Sequence, residues 1–113
     1  MIARFIIPTL CATALLVTVP GAAQAQDVNT TITIRNHRFE PAELKVPANK
    51  RIVLKVVNED PTPEEFESKE FKAEKIIAGK SQGIVRITPL KPGRYKFYGE
   101  YHEDTAKGVL VAE

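Results

Sequence analysis

The chain has 113 residues, with 16 Lys and Arg against 14 Asp and Glu, a formal net charge of +2, one Cys and one Met. This length allows one domain with a modest core and is too short for two. The near balance of charge argues against nucleic-acid or membrane-surface partners, because these require a clustered basic patch.

Residues 1–25 are predicted to be a secretory signal peptide. A short cationic start containing Arg4 precedes an apolar run over residues 5–20 and a small-residue exit, which are the three regions of such a signal. The A-x-A motif at residues 23–25 predicts cleavage after Ala25. We therefore expect a mature chain that begins at Gln26 and is exported to the periplasm.

Two other uses of this segment are less favoured by the residues. Pro8 and Pro20 interrupt the apolar run, which leaves too few residues for a membrane-spanning helix of about 20. Lipid attachment at Cys11 would need a small residue next to it, and Leu10 is not small. Because Cys11 and Met1 both lie in the leader, residues 26–113 contain no sulfur and no disulfide, so packing must stabilise them.

Residues 26–113 are predicted to form one all-β domain. Short runs rich in Val, Ile, Thr, Tyr and Phe recur between turn residues, and no segment sustains a period of 3.6, which is typical of small antiparallel sandwiches. Seven strands in so short a domain indicate a two-sheet Greek-key sandwich. The predicted strands cover residues 30–36, 43–46, 51–58, 67–74, 83–88, 95–100 and 108–112.

Alternation along these strands predicts which side chains form the core. Turns are expected at residues 46–50 and 91–93, where Pro presets φ and Gly can adopt a positive φ. The even spacing of Ile32 and Ile34 breaks before Phe39, which predicts a bulge or bend near residues 35–37, a feature that often re-aims a side chain beside a site. The expected core residues are Ile32, Ile34, Phe39, Ile52, Leu54, Val56, Tyr95 and Phe97.

Three stretches together resemble the cupredoxin family. They are FEP at residues 39–41 followed by LKVPA at 44–48, VNED at 57–60, and LKPGRYKFY at 90–98. The last is similar to the family's "L-x-P-G-x-Y-x-F" run, which leads back to the metal-binding end. The resemblance covers nearly all of residues 26–113 and implies a cupredoxin-like Greek-key sandwich.

The same resemblance identifies what is missing. A blue-copper cupredoxin takes one His from the loop after the "N-x-D" strand, then a Cys, a second His and usually a Met from the last loop. Here Glu64 or Glu65 stands at the first His place and Gly99 at the Cys place, while His102 keeps the C-x-x-H spacing and residues 105–107 offer no Met. Because the blue centre depends on a copper–thiolate bond, we expect no blue-copper centre.

Two further segments are similar to a narrower group. TPEEFES at residues 62–68 and GEYHEDTAKG at 99–108 resemble the periplasmic cupredoxin-like proteins that accompany bacterial ferrous-iron permeases, and the cupredoxin domain of iron-uptake lipoproteins. The resemblance implies a helper for iron import that binds or oxidises Fe(II), or passes iron on. Its implied partner is an iron permease or another periplasmic iron-uptake component.

The sequence also offers a metal site built without sulfur. Carboxylate and imidazole groups both bind divalent iron, and both bind copper in N,O sites. In a cupredoxin-like fold, the loop at residues 64–67 lies beside the loop at residues 100–104, and the bend before Phe39 approaches the same end. We expect one iron or copper ion per chain. The expected ligands are His37, Glu65 and His102, with Glu64 and Glu67 in reserve.

Each of these residues also has an ordinary structural interpretation. His102 can be a solvated loop residue, His37 a packing residue, and the glutamates solvated charge; Tyr98 and Tyr101 are expected to pack on the sheet. Two other functions stay open: copper binding or buffering without electron transfer, and a metal-free module that docks to a permease. No hydrolase triad order, phosphate loop or zinc-type Cys spacing occurs, so Fe(II) oxidation is the only enzymatic role considered.

Overall fold

The computed structural model describes residues 3–6, 8–17 and 26–113. Residues 3–6 and 8–17 are exposed and contain neither helix nor strand. The predicted cleavage motif at residues 23–25 lies outside the described residues. Over the parts of the chain that are described, no helix reaches the length and apolar character that a membrane crossing requires.

Two β-sheets enclose one core in residues 26–113. One sheet has the strand order β2-β1-β4-β7 and the other has β3-β9-β8-β5-β6. The pairs β1–β4 and β3–β9 are parallel, and the other neighbours are antiparallel. This confirms the all-β, two-sheet sandwich. The elements are β1 Val28–Arg35, β2 Arg38–Glu40, β3 Glu43–Val46, β4 Ile52–Asn58, β5 Glu64–Ser68, β6 Ala73–Ile77, β7 Ser81–Ile87, β8 Gly93–Gly99, a 3-10 helix Glu100–His102, and β9 Lys107–Ala112.

Inward-facing side chains of both sheets form the core. Phe39, Phe66 and Phe97 meet at its centre, with ring centroids 5.0 to 5.8 Å apart, a spacing at which aromatic pairs add about 0.5–1.5 kcal/mol beyond area burial. One predicted core residue, Tyr95, is only half-buried and packs against the outside of the hydrophobic core. The others are buried as expected: Ile32, Ile34, Phe39, Ile52, Leu54, Val56 and Phe97.

The bend predicted near residues 35–37 is a tight hairpin turn. Arg35 pairs with Arg38 across β1 and β2, so Asn36 and His37 alone form the loop, with φ of 53° and 57°. Two positive φ values are typical of the type I′ turn that suits a twisted hairpin. The turn restores the alternation, because Phe39 then lies directly opposite the inward-facing Ile34. The three-residue strand β2 was not predicted.

The strand predicted over residues 67–74 is wrong. Residues 69–72 form a turn between β5 and β6, with Lys72 at a φ of 54°. Phe71 in this turn is 9% exposed, so a buried aromatic gives the turn the composition of a strand. Conversely, residues 64–67, expected in a loop, belong to β5. The turn at 46–50 is found, and the one at 91–93 needs no positive φ because Gly93 already begins β8.

Candidate functional site

Two histidines from opposite sheets meet at one end of the sandwich. His37 lies in the turn between β1 and β2, and His102 lies in the 3-10 helix that follows β8. Their rings stack with centroids 3.5 Å apart and planes inclined by 11°. Imidazole is the commonest metal-binding side chain. The structure therefore brings together the two histidines that the sequence proposed as ligands.

A buried carboxylate completes this group. Glu64 begins β5 and is 1% exposed; its Oε2 lies 2.5 Å from Nδ1 of His102. Its Oε1 accepts hydrogen bonds from the backbone amides of Tyr101 at 2.9 Å and Glu65 at 3.1 Å. A buried carboxylate is costly without such partners, so these contacts fix Glu64 against His102. We call His37, His102 and Glu64 the histidine centre.

Glu64 fills the space that a side chain at position 99 would need. A Cβ atom built on Gly99 would lie 2.6 Å from Cδ of Glu64 and 2.7 Å from Cβ of Ala106, which is closer than real Cβ contacts. Residues 26–113 also contain no cysteine. The residues present therefore do not fit a blue-copper ion, whereas their imidazole and carboxylate groups fit a cation with N,O ligands.

Asp60 holds the backbone of His37 in place. Its two carboxylate oxygens accept the amides of Asn36 at 2.8 Å and His37 at 2.9 Å. Burial of Asp60 opposes its ionisation, but these two hydrogen bonds, together with favourable charge interactions that include Lys80, outweigh burial and lower its pKa. On the other side, Thr105 Oγ1 donates to the carbonyl of His37 at 2.6 Å. Both contacts orient the turn toward His102.

A second acidic group lies on the outer face of the five-stranded sheet. Glu65, Glu67 and Glu100 place carboxylate oxygens within 4.8 Å of one another; we call them the carboxylate cluster. Oε2 of Glu67 is buried and has no hydrogen-bond partner among the described residues. Hydrogen bonding to Glu67 and Glu65, followed by their negative charge, raises the pKa of Glu100 to about 7. The three carboxylates therefore concentrate negative charge at one place, and a proton on Glu100 relieves part of it.

Two tyrosines border the carboxylate cluster. Tyr98 pairs with Glu67 across β8 and β5, and Tyr101 is 46% exposed. Desolvation is the main cause that raises the pKa of each phenol; hydrogen bonding to Glu67 adds to it for Tyr98, and the charge of Glu65 for Tyr101. Tyr101 was expected to pack on the sheet, but it lies in the 3-10 helix and is only partly buried beside the acids.

The five predicted ligands are thus divided between two faces. Side chains alternate along a strand, so Glu64 points inward to the histidines, whereas Glu65 and Glu67 point outward. Glu65, expected among the first three ligands, belongs to the carboxylate cluster. Reading residues 64–67 as a loop concealed this, although Glu64, Phe66 and Ser68 share one parity with the core. The sequence interpretation also left out Glu100, Asp60 and Thr105 as site residues.

Comparison with known proteins identifies the domain type. A family model described as a cupredoxin-like domain matches residues 7–112. An uncharacterized protein of Rickettsia prowazekii (strain Madrid E) is 37% identical over 92 residues, which cover 81% of this chain and 74% of that protein.

Solved structures agree on the fold. Auracyanin A, a "blue" copper protein from Chloroflexus aurantiacus, superposes with a TM-score of 0.68 and 15% identity over 78% of this chain and all of its own. The metal-binding domain of the Cu(I)-exporting ATPase CopA of Streptococcus pneumoniae D39, solved with Cu(I), gives 0.63 and 17% over 79% of this chain and 97% of its own. At such identities the likeness concerns the fold alone.

Proposed function

This chain belongs to the family of cupredoxin-like domains, and we propose that it is a periplasmic metal-binding protein that assists ferrous-iron uptake. The observation that carries the proposal is the histidine centre, in which stacked His37 and His102 adjoin the buried carboxylate of Glu64. Iron and copper both accept imidazole and carboxylate ligands. A centre of this kind needs no thiolate.

The three residues have different tasks in metal binding. The ring nitrogens of His37 make no hydrogen bond to the described residues, so they are free to bind a cation. In His102, Nδ1 forms the hydrogen bond with Glu64, which leaves Nε2 to bind a cation. The buried carboxylate of Glu64 balances positive charge beside the partly exposed rings of the two histidines. With Cu(II) bound, the centre would supply a one-electron acceptor for Fe(II).

The carboxylate cluster is the proposed place for iron as cargo. Divalent iron accepts oxygen ligands, and three glutamates with bordering phenols provide them at one point on the surface. A cation there would satisfy the unpartnered Oε2 of Glu67. It would also replace the shared proton, because hydrogen bonds to Glu67 and Glu65, and then their negative charge, raise the pKa of Glu100 to about 7.

Copper binding without electron transfer is the competing function. Auracyanin A is described as a copper protein, and the CopA domain was solved with Cu(I), so copper chemistry occurs on this fold. Copper also binds more tightly than iron to most such ligand sets, so affinity alone does not decide. Acceleration of Fe(II) oxidation by the Cu(II)-loaded protein would favour the iron role; no acceleration would favour copper buffering.

Metal titration of the purified protein tests the proposal. We expect Fe(II), added without oxygen, and Cu(II) to bind in competition with a mild chelator. His102→Ala should weaken binding at the histidine centre at least about 10-fold, since outer-shell changes alone cost 10–100-fold. Glu113→Gln, which changes an exposed carboxylate outside the cavity lined by His37 and His102, is the matched control and should bind as the parent does. If the protein binds neither Fe(II) nor Cu(II) in competition with the chelator, the proposal is refuted.

Glu67→Gln separates the two groups of ligands. If iron occupies the carboxylate cluster, this variant loses Fe(II) and retains Cu(II) at the histidine centre. Loss of both metals would contradict a separate cargo site. The proposed partner is an iron permease or another periplasmic iron-uptake component, as the motifs at residues 62–68 and 99–108 suggest.

A further inference from the structure

The outer face of the five-stranded sheet carries a cleft of about 710 Å³ beside the carboxylate cluster. Four cationic side chains line it, which we call the basic cleft: Lys69, Arg94, Lys96 and Lys107. We propose that the basic cleft docks an extended acidic segment of a protein partner. The inference deepens the proposed function by naming the chemistry of the partner, and it rests on that function for its biological meaning.

Strand alternation places the cations on one surface. Arg94 and Lys96 are outward-facing residues of β8, separated by the half-buried Tyr95. Lys107 begins β9 and pairs with Tyr98 of β8. Lys69 extends from the turn after β5 and, like the other three, is exposed. Strands β8 and β9 thus present three positive charges, and the turn after β5 adds a fourth, over one concave area.

Most of this charge has no partner within the domain. Among the described residues, no carboxylate forms a salt bridge with Lys69, Lys96 or Lys107. Arg94 has one, to Glu43 at 3.8 Å, and so exposed a pair contributes about 0–1 kcal/mol. Glu103 also lines the cleft, and Glu70 accepts the backbone amide of Lys96 beside it. Four lining cations against one lining carboxylate still leave the cleft with a net positive charge that an external anion can meet.

The floor of the cleft suits a peptide better than a bare ion. Ala42, Val109 and the ring of Tyr98 line it between the cations, so an apolar side chain of the partner can be buried beside its carboxylates. From Arg94 to Tyr98 the strand runs about 13 Å at roughly 3.3 Å per residue, enough for about four extended residues. On one side β8 pairs with β9 from Gly93 to Tyr98, and on the other it pairs with β5 only at Tyr98 and Gly99. The backbone of Lys96 on that second side is bonded to the side chains of Ser68 and Glu70, so docking uses side chains on the sheet face.

The surrounding charge selects the occupant and its position. The carboxylate cluster lies on the next strand, β5, and on the 3-10 helix after β8, and it would repel a long uniformly negative chain such as a nucleic acid. A short acidic segment avoids it. Lys107 and Glu103 at the end of the cleft adjoin the loop that carries His102, so the docked partner would lie next to the candidate metal site.

The test uses the purified full-length protein, without metal, and a fluorescein-labelled peptide of about ten residues in which Glu alternates with Ala around one Phe. Fluorescence anisotropy should show binding at low salt that weakens as NaCl rises toward about 0.3 M. Arg94→Glu combined with Lys96→Glu should weaken binding at least about 10-fold, because attraction becomes repulsion.

The matched control is Lys50→Glu combined with Arg86→Glu. Both residues are exposed and lie outside the basic cleft. Their replacement changes the net charge by the same amount as the cleft double variant does. The control should bind within about 2-fold of the parent if the cleft is the site. Equal weakening in both double variants, or no binding at low salt, would overturn the proposal.

A further arm identifies a small-anion site. Sodium citrate that displaces the peptide more effectively than NaCl of equal ionic strength would assign the cleft to small carboxylates and overturn peptide docking. The cleft variants leave His37, His102 and the carboxylate cluster intact, so their metal titration should match that of the parent. Failure of peptide binding with intact metal binding therefore rejects the docking site alone.

Discussion

Glu64 is a carboxylate at a depth where burial normally selects an apolar side chain. It keeps its place because one oxygen accepts two backbone amides and the other meets His102. Each contact offsets part of the desolvation cost, and removal of any of them would leave a buried polar atom unpaired. Its position depends equally on the missing side chain at Gly99.

Replacement of Gly99 by Ala should destabilise the domain by about 1–3 kcal/mol, the usual cost of overpacking. The added methyl would lie 2.6 Å from Cδ of Glu64, and the backbone of β8 cannot retreat without disturbing its neighbours. Urea unfolding measures the effect. Gly93→Ala in the same strand is the control, since its Cβ would find its nearest atom at 3.5 Å.

A double variant identifies the cause of this destabilisation. Glu64→Ala removes the colliding carboxylate, so Gly99→Ala should cost less in that background than in the parent, a coupling of about 0.5–3 kcal/mol. Additive costs would show that Ala106, and not Glu64, is the group that clashes with the new methyl.

At the scale of single elements, the carboxylate cluster makes β5 and the 3-10 helix sensitive to pH. In the folded chain the pKa of Glu100 is about 7, against an ordinary value of 4.5. Between these values the folded state holds a proton that the unfolded state has lost. The stabilising contribution of the shared proton is therefore present below pH 4.5 and is lost as pH rises through 7.

Glu100→Gln should remove the loss of stability that occurs as pH rises through 7, because the amide keeps a hydrogen-bond donor and carries no charge. With EDTA present, the melting temperature of the variant should exceed that of the parent more at about pH 8 than at about pH 5. Glu103→Gln, outside the cluster, should show no such pH-dependent difference. An equal gain at both pH values would contradict proton sharing in the cluster.

The elements also show what the sequence could predict. The strand at residues 43–46 was predicted with its observed bounds, because a turn ends it and Leu44 and Val46 alternate with exposed residues. Strand β2 was missed because three residues give too short a pattern, and residues 67–74 were misread because Phe71 is buried inside a turn. The meeting of His37 with His102 was expected from the resemblance. The inward orientation of the Glu64 side chain was not expected, because a buried carboxylate needs backbone amides and free volume that residues distant in the sequence supply.

At the scale of the whole molecule, the near-neutral net charge conceals two charged regions. The carboxylate cluster and the basic cleft lie on adjoining strands of one sheet face, and their charges cancel in the total. Composition argued against a clustered basic patch, and a local one exists. A total charge reports on long-range attraction, whereas docking depends on how charge is distributed.

The whole chain carries one further prediction, which concerns its first 25 residues. Within residues 3–6, 8–17 and 26–113, every buried core residue lies between Ile32 and Ala112, so a chain of residues 26–113 should fold with an unchanged melting temperature. When the full gene product is expressed in a bacterium, mass spectrometry of the periplasmic fraction should find a protein that begins at Gln26. Recovery of a chain that still begins at Met1 would contradict signal cleavage.

Consecutive residues of β5 serve opposite sides of the sheet, and this gives the strand an unusual evolutionary constraint. The carboxylate of Glu65 belongs to the outer cluster and that of Glu64 to the inner centre, so each side chain is constrained by a different set of neighbours. Insertion or deletion of one residue after Glu64 would instead exchange the sides of everything that follows, sending Phe66 out of the core. We therefore expect relatives of this protein to tolerate substitutions in this strand far more readily than insertions or deletions.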